Sequence, residues 1–266
     1  MYVTEYHHHT NHSFDSKADM EAVCKEAISK GIDEICFTEH YSVNPNLPTY
    51  GHIDFDRYFN QIKSCQEKFK GELTIKAGIE LCEPHLMKED YHDVLHNKEL
   101  DFILGSVHNI EEVKLRTFMS DKENEAAYRR YFEEVYSLVS SADIDVLAHL
   151  DLMKRYAMEA KGNYSFTDLQ DILQAILQKA IERGIGIEIN TSGLSNVKVG
   201  EAFPTMEVLK LYKNLGGEIL TIGSDSHRAD TVGSHLDDAL EMAKQAGFDD
   251  VYTFVNRKPL AVKIEE

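Results

Sequence analysis

Residues 2–15 read YVTEYHHHTNHSFD and carry the pattern that decides the fold. An extended run, Tyr2–Tyr6, ends directly in His7-His8-His9, and Asp15 follows after a short turn-like segment. The pattern returns along the chain, where other short β-like runs end in residues whose side chains bind metal ions in many proteins. The polar groups at these later strand ends are Glu39-His40, Glu80, His108, His149 and Asp225-Ser226-His227.

The shared position of these polar groups at strand ends is stronger evidence for a site than any one of the residues. A lone histidine or glutamate after a strand is usually an ordinary structural or surface residue. In a β/α barrel, however, the carboxyl ends of all strands meet on one face, and catalytic residues lie there. A chain in which strand after strand is followed by His, Asp or Glu is therefore predicted to form a polynuclear metal site on such a face.

The remaining sequence supplies the elements that a barrel needs. Strand-like runs appear near residues 2–7, 34–38, 73–79, 102–107, 144–148, 185–190, 218–223 and 250–255. Stretches with helical periodicity lie between most of them, at about 17–30, 55–70, 86–97, 122–142, 166–183, 205–215 and 235–246. This alternation predicts a parallel sheet with right-handed crossovers. No linker-like stretch divides the chain, so we expect one α/β domain over residues 1–266, closed as a barrel or distorted barrel.

Composition and charge exclude several classes of function. The 266 residues are enough for one barrel with a large core, and 42 % hydrophobic with 28 % charged residues is ordinary for a globular protein. The net charge is −18, from 28 basic and 46 acidic residues. Such a charge disfavours a nucleic-acid groove, which needs a basic face, and an anionic membrane surface. It suits metal ions or a cationic ligand.

Targeting signals and cysteine usage point to the cytoplasm. No apolar run approaches the roughly 20 residues of a membrane span, and the N-terminal residues resemble no signal peptide. The four cysteines, Cys24, Cys36, Cys65 and Cys82, form no C-x-x-C pair. We expect reduced, mostly buried thiols in a cytoplasmic protein, and their spacing does not predict a zinc site.

The histidine triplet has a geometric interpretation. His7 and His9 are two residues apart on an extended segment, so their imidazoles point to the same side, while His8 points the other way into the core or a neighbouring helix. The triplet lies inside a native-looking strand and turn, which favours ligands over part of a purification tag. His12 is more typical of a loop residue than of a ligand.

The other histidines lie in helical or loop contexts. We expect them to be exposed or capping residues and not ligands: His52, His85, His92, His96 and His235.

Eight short motifs, taken in order, resemble the PHP (polymerase and histidinol phosphatase) family, most closely its monofunctional histidinol-phosphate phosphatases. The motifs are H-x-H at His7/His9, S-x-D at Ser13–Asp15, T-E-H at Thr38–His40, G-I-E at Gly78–Glu80, S-V-H at Ser106–His108, H-L-D at His149–Asp151, N-T-S-G at Asn190–Gly193 and S-D-S-H at Ser224–His227. The resemblance covers nearly the whole chain. It implies a distorted (β/α)7 TIM-like barrel, in which the strand at 250–255 would be peripheral.

The resemblance also implies a trinuclear metal centre holding three divalent ions, Zn, Mn or Fe. The implied ligand sets are His7, His9, Glu80 and Asp225 for the first ion, Asp15, His40 and His227 for the second, and Glu80, His108 and His149 for the third. Mixed imidazole and carboxylate ligands suit these metals.

The implied activity is hydrolysis of L-histidinol phosphate, in histidine biosynthesis, by attack of a metal-bridging hydroxide. Asp225 or His227 would manage the proton of the leaving group. Arg155 matches a phosphate-binding basic position after H-L-D. Relatives usually carry a second arginine after N-T-S-G, and Lys198 is the candidate replacement here, although lysine cannot make the two-pronged contact of arginine.

Two alternative functions stay open at this point. One is a PHP phosphoesterase acting on another small phosphoester, a nucleotide or a nucleic-acid end, although charge disfavours polymers. The other is a catalytically silent scaffold, which would be expected to have lost ligands. We expect a small phosphorylated substrate, no nucleic acid and no membrane as partners; the oligomeric state stays open.

Overall fold

Seven parallel strands in a nearly closed barrel form the centre of the molecule. The computed structural model describes residues 2–120, 122–157 and 162–264. The strands lie side by side in the order β1-β2-β3-β4-β7-β8-β9. They are Thr4–His8 (β1), Glu34–Tyr41 (β2), Thr74–Cys82 (β3), Phe102–Ser106 (β4), Val146–Leu147 (β7), Gly186–Asn190 (β8) and Leu220–Gly223 (β9).

The other elements surround this barrel. Two antiparallel hairpins are formed by Asn109–Ile110 (β5) with Val113–Lys114 (β6), and by Asp250–Val255 (β10) with Lys258–Lys263 (β11). The α-helices are Met20–Ser29 (α1), Phe55–Lys68 (α2), Lys88–Leu95 (α3), Leu115–Ser120 (α4), Asn124–Ser141 (α5), Lys154–Ala157 (α6), Phe166–Glu182 (α7), Met206–Asn214 (α8) and Leu236–Gln245 (α9). None of these helices is both long enough and apolar enough to span a bilayer.

The barrel closes between its first strand and the segment after its last. The backbone N–H of His9 donates to the carbonyl of Ser226 at 2.9 Å, and the N–H of Asp225 donates to the carbonyl of His7 at 2.7 Å. These two bonds bring the histidine triplet beside the S-D-S-H motif. The ends of the seven-stranded sheet therefore meet at the face where the candidate ligands lie.

Two apolar clusters hold the barrel together. The larger one fills the layer between the strands and the helices outside them. The smaller one fills the barrel itself and includes Tyr6, Phe102 and Phe254. Phe254 comes from β10, and its backbone N–H donates to the Tyr6 hydroxyl at 2.7 Å. The β10–β11 hairpin thus closes the end of the barrel opposite to the candidate ligands.

The structure confirms the predicted alternation of strands and helices. All seven predicted helices are present, and the strand at 250–255 is peripheral, as the family resemblance implied. Strands β2 and β3 run further than predicted, so His40 and Glu80 lie in their last residues and not after them. The sequence pattern missed helices α4 and α6, both short, and strand β11, whose residues are mostly exposed.

Candidate metal centre

Four predicted ligands converge on one point at the carboxyl ends of β1, β3 and β9. The Nε2 atoms of His7 and His9 are 3.1 Å apart. One Glu80 oxygen lies 3.3 Å from the first and 3.4 Å from the second. One Asp225 oxygen lies 3.6 and 3.4 Å from the same two nitrogens. This is the set that the family resemblance implies for the first ion.

The other two predicted sets also come together. An Asp15 oxygen lies 3.5 Å from His40 Nε2 and 3.4 Å from His227 Nε2. The second Glu80 oxygen lies 3.1 Å from His149 Nε2 and 3.4 Å from His108 Nε2. The structure therefore brings all nine predicted side chains into one cluster. Buried Glu80 contacts all three of its parts, since one of its oxygens also lies 2.9 Å from His40 Nδ1.

The donor atoms of the first set fit a metal cation. His7 Nδ1 is bonded to Glu188 at 2.6 Å and His9 Nδ1 to the Ser13 hydroxyl at 3.1 Å, so each ring uses its Nδ1 proton there. Both Nε2 atoms then present lone pairs to each other and to the carboxylate oxygens of Glu80 and Asp225. Such an all-acceptor contact is repulsive without a cation between the donors.

The buried carboxylates around His7 favour a positive charge at that ring. Burial alone would raise the pKa of the Glu80 carboxyl, but the imidazoles of His40, His7 and His108 hold it well below its usual range. Burial opposes charge on the His7 ring, yet Glu188, Asp225 and Glu80 together raise its pKa well above the ordinary value. The field that draws a proton to this position also attracts a divalent ion.

Glu188 is a functional residue that the sequence reasoning missed. One of its oxygens accepts from His7 Nδ1, and the other accepts the backbone N–H of His149 at 2.8 Å. A carboxylate in this position fixes the tautomer and orientation of a metal-binding histidine. One feature of the sequence could have revealed Glu188: it is a charged residue inside the buried apolar strand Gly186–Asn190. Burying a carboxylate without a partner costs free energy, so a partner such as His7 was to be expected.

We predict that Glu188→Gln lowers metal affinity about 10–100-fold, because the carboxylate that orients His7 loses its charge. Titration of metal-free protein with Zn²⁺ or Mn²⁺ measures the effect. Glu182→Gln is the matched control, since Glu182 is an exposed carboxylate on α7. Equal affinities for Glu188→Gln and the parent protein would contradict the orienting role.

Ser13 and Glu39 explain two of the sequence motifs in structural terms. The Ser13 hydroxyl donates to Glu39 at 2.7 Å, contacts His9 Nδ1 and accepts the backbone N–H of His40 at 2.9 Å. Glu39 also accepts the backbone N–H of Thr10 at 2.9 Å. This buried network fixes the β1 loop against β2, so His9 and His40 keep their relative positions.

Crowding and backbone strain mark the same place. A Cβ at Gly223 would lie 2.3 Å from the His7 Cβ and 2.8 Å from a Glu188 oxygen, so only glycine fits there. His149 and Asp225 both have positive φ, 22° and 52°. A non-glycine residue in this region costs roughly 1–3 kcal/mol and persists only where the surroundings enforce it. The bonds from His149 N to Glu188 and from Asp225 N to His7 provide that enforcement.

Arg155 lies beside the cluster, held by the N-T-S-G motif. Its guanidinium donates to the Ser192 hydroxyl at 2.5 Å and to the second oxygen of Asp225 at 3.2 Å. Asn190 accepts from both the backbone and the hydroxyl of Ser192, which fixes that turn. Arg155 therefore points at the candidate metal centre with its fork oriented by two partners.

The cluster opens into a cavity of about 490 Å³, a size that suits a small molecule. Its lining includes five candidate ligands (Asp15, His40, His108, Asp225 and His227), together with Arg155. Lys198 is exposed and is not among the lining residues, so its predicted substrate contact stays a prediction. A larger groove of about 800 Å³ beside α3 contains none of the nine candidate ligands.

The remaining histidines and cysteines follow the predictions with one exception, His85. His8 is buried away from the cluster against Phe37, and His12 bonds Gln61 in a turn. His85, predicted to be exposed or capping, is instead 4 % exposed and bonded to Glu134 at 2.7 Å, because α5 packs over it. All four cysteines are buried and free, but the Cys82 sulfur lies within 4.8 Å of donor nitrogens of both His40 and His108.

Comparison with known proteins gives consistent matches over most of the chain. Residues 5–192 match the family described as PHP domain. A probable histidinol-phosphatase of Clostridium acetobutylicum is 31 % identical, with 94 % of this chain and 96 % of that protein covered. The histidinol-phosphatase of Lactococcus lactis is 29 % identical, with 96 % of this chain and 95 % of that protein covered.

One solved structure matches nearly all of the chain. It is the crystal structure of the histidinol phosphate phosphatase of Lactococcus lactis, complexed with Zn, L-histidinol and phosphate. The TM-score is 0.89 at 29 % identity, and 97 % of this chain and 98 % of that chain are covered.

Proposed function

Since this chain belongs to the PHP family, we propose that it is a metal-dependent phosphomonoesterase that hydrolyses L-histidinol phosphate to L-histidinol and phosphate in histidine biosynthesis. The observation that carries this proposal is the convergence of nine imidazole and carboxylate side chains, with Arg155 beside them, at one cavity. The two relatives named as histidinol-phosphatases, and the bound L-histidinol and phosphate in the Lactococcus lactis structure, support this choice of substrate.

Three divalent ions would be held by the three ligand sets predicted from the sequence, with Glu80 shared between the first and the third. Bound there, they would supply Lewis acidity toward phosphoryl oxygens and a water of lowered pKa. Zinc is the ion in the Lactococcus lactis structure, and the mixed imidazole and carboxylate donors of this chain also suit manganese and iron.

The side chains of this protein then have separate tasks. Arg155 binds a phosphoryl oxygen with a donor that Ser192 and Asp225 hold in place. A water oxygen forms a bond to phosphorus, the bond from phosphorus to the ester oxygen breaks, and that oxygen must gain a proton. Asp225 or His227, both on the cavity wall, would supply that proton. In His227 it would come from Nδ1, 3.8 Å from an Asp225 oxygen, because Nε2 faces Asp15 in the second ligand set.

A phosphate-release screen on metal-reconstituted protein tests the substrate. We expect histidinol phosphate to be hydrolysed faster than other phosphomonoesters and much faster than the diester bis-(p-nitrophenyl) phosphate. Preference for the diester, or for a nucleotide, would instead support the alternative PHP phosphoesterase.

Removal of metal should abolish this activity and lower the thermal midpoint. Ions that bind only the native state stabilise it, by about 2.7 kcal/mol for a site held at 100 times its Kd. Chelation followed by metal analysis and calorimetry measures both effects, and re-addition of Zn²⁺ or Mn²⁺ is the control. Full activity in metal-free protein would overturn the mechanism.

A cytoplasmic location belongs to the same proposal. It is supported by the four cysteines, all of them buried and free, which suit a reducing compartment.

A further inference from the structure

A second arginine lines the cavity from a different part of the chain. Arg116 and Lys114 belong to the lining together with Arg155, and both are exposed at the cavity mouth. Arg116 is the second residue of α4, directly after the β5–β6 hairpin. The sequence analysis assigned neither residue a role, because they lie in a part of the chain without a recognised motif.

The Arg116 guanidinium lies beside an aromatic ring and not beside a carboxylate of the described residues. Within residues 2–120, 122–157 and 162–264, no carboxylate pairs with its guanidinium, whose one described partner is the ring of Tyr156 at 5.6 Å. Several other arginines have carboxylate partners: Arg129 bonds Asp171, Arg228 bonds Asp230 and Arg257 bonds Asp143. Arg57 and Arg183 bond neutral oxygens instead, away from the cavity. A free guanidinium on the wall of a cavity, in a chain of net charge −18, is available for an anionic ligand.

The backbone that carries Arg116 is fixed relative to the metal centre. Glu83 accepts the backbone N–H groups of His108 and Asn109, at 2.5 and 2.9 Å. The backbone N–H of Leu115 donates to the carbonyl of His108 at 3.2 Å, and the Leu115 side chain is buried. The residue next to Arg116 is thus bonded to a candidate metal ligand. The Cα atom of Arg116 therefore has a fixed position relative to the candidate metal centre.

Besides the proposed metal ions, Arg155 is the one cationic side chain so far placed at the phosphate, and it is not fully available. The Arg155 guanidinium is already bonded to Asp225, which neutralises part of its charge. A phosphomonoester carries close to two negative charges at neutral pH, as does the phosphate product. Tyr156 stands next to Arg155 in the chain and beneath Arg116 in space, so the two guanidinium groups share one wall of the cavity.

We infer that Arg116 is the second phosphate-binding cation of this site, the task that the sequence analysis gave to Lys198. This inference rests on the proposed phosphatase function and names a residue that binds its substrate and product. Arg116 contacts the phosphoryl group from the wall that it shares with Arg155, and its planar fork matches two phosphoryl oxygens.

The test is the affinity of metal-loaded protein for inorganic phosphate, measured by calorimetry and as competitive inhibition of phenyl phosphate hydrolysis. We expect Arg116→Ala to weaken phosphate binding about tenfold or more and to raise KM for phenyl phosphate, with metal content and thermal midpoint unchanged. Arg116→Lys should recover part of the loss. Arg129→Ala removes an arginine of the same charge on the outer helices and should leave the affinity unchanged.

Three results would overturn the inference. The first is unchanged phosphate affinity in Arg116→Ala. The second is a loss of affinity in Lys198→Ala that exceeds the loss in Arg116→Ala. The third is that Arg116→Ala weakens binding only of phosphomonoesters that carry a carboxylate far from the phosphate, while the KM for phenyl phosphate is unchanged. This result would place Arg116 at the other end of the substrate. Inorganic phosphate and phenyl phosphate contain no histidinol. If the parent protein did not hydrolyse histidinol phosphate, the proposed substrate would be refuted, but the role of Arg116 could still be tested with these two compounds.

Discussion

Glu80→Gln should lose bound metal and turnover together while the fold survives. Both oxygens of Glu80 are in use: one faces His149 and His108, and the other lies 2.9 Å from His40 Nδ1 and close to His7. The amide has nearly the same volume but no charge, and its NH₂ group would point a donor where a cation is needed. We expect turnover to fall by about 10³-fold or more, equivalent to about 4 kcal/mol of barrier.

Metal analysis and steady-state kinetics on the same preparation test this prediction, and circular dichroism reports on the fold. Glu99→Gln is a suitable control, because Glu99 is an 86 % exposed carboxylate. If Glu80→Gln retained its metals and its activity, the carboxylate would be shown to have no part in metal binding, and the shared-ligand arrangement would be wrong.

Arg155→Ala should cost about 2–4 kcal/mol in kcat/KM, a loss typical of removing one oriented donor to a transition-state oxygen. Arg155→Lys should already be harmful, because the charge remains while the planar guanidinium is lost. Its Nη2 contacts both Ser192 and Asp225, which leaves the other nitrogens for a phosphoryl group. Metal content should be unchanged in both variants, since Arg155 is not one of the predicted ligands.

Kinetics with histidinol phosphate, beside metal analysis, measure the effect. Arg129→Ala again serves as the control for loss of an arginine. Near-normal kinetics in Arg155→Ala would mean that the metals alone hold the phosphoryl group. A fall in metal content would show that Arg155 acts by positioning Asp225.

The fold was predictable because its strands and helices differ in local pattern. Each of the seven predicted helices has an apolar stripe that packs on the sheet, and each strand is a short apolar run. The two-residue strand β7 was predicted as 144–148, since local sequence does not show where a ladder ends. Strand β11 was missed because Lys258–Lys263 is mostly exposed and is held by pairing with β10, a contact that its own composition does not reveal.

The site was predictable only in part, because local sequence shows which side chains follow a strand but not which groups face each other in space. The nine candidate ligands repeat one signal, a polar side chain at a strand end, which can be read along the chain. Glu188 and Arg116 have roles set by what lies opposite them in space: the His7 ring in one case and an open cavity in the other. Cys82 was set aside on spacing alone, yet β3 carries it to the edge of the cluster.

The closure between the first strand and the segment after the last has a consequence for the order of events during synthesis. His7 and Asp225 are bonded through their backbones although 218 residues separate them in the chain. Contacts of such long sequence separation form late, because the entropy of closing the loop must be met first. On the ribosome, His7 and His9 are made long before Asp225, and they remain without this backbone partner until Asp225 has emerged. The complete cluster of candidate ligands therefore assembles only after translation has passed the last strand, so metal bound there would be loaded late in the maturation of this protein.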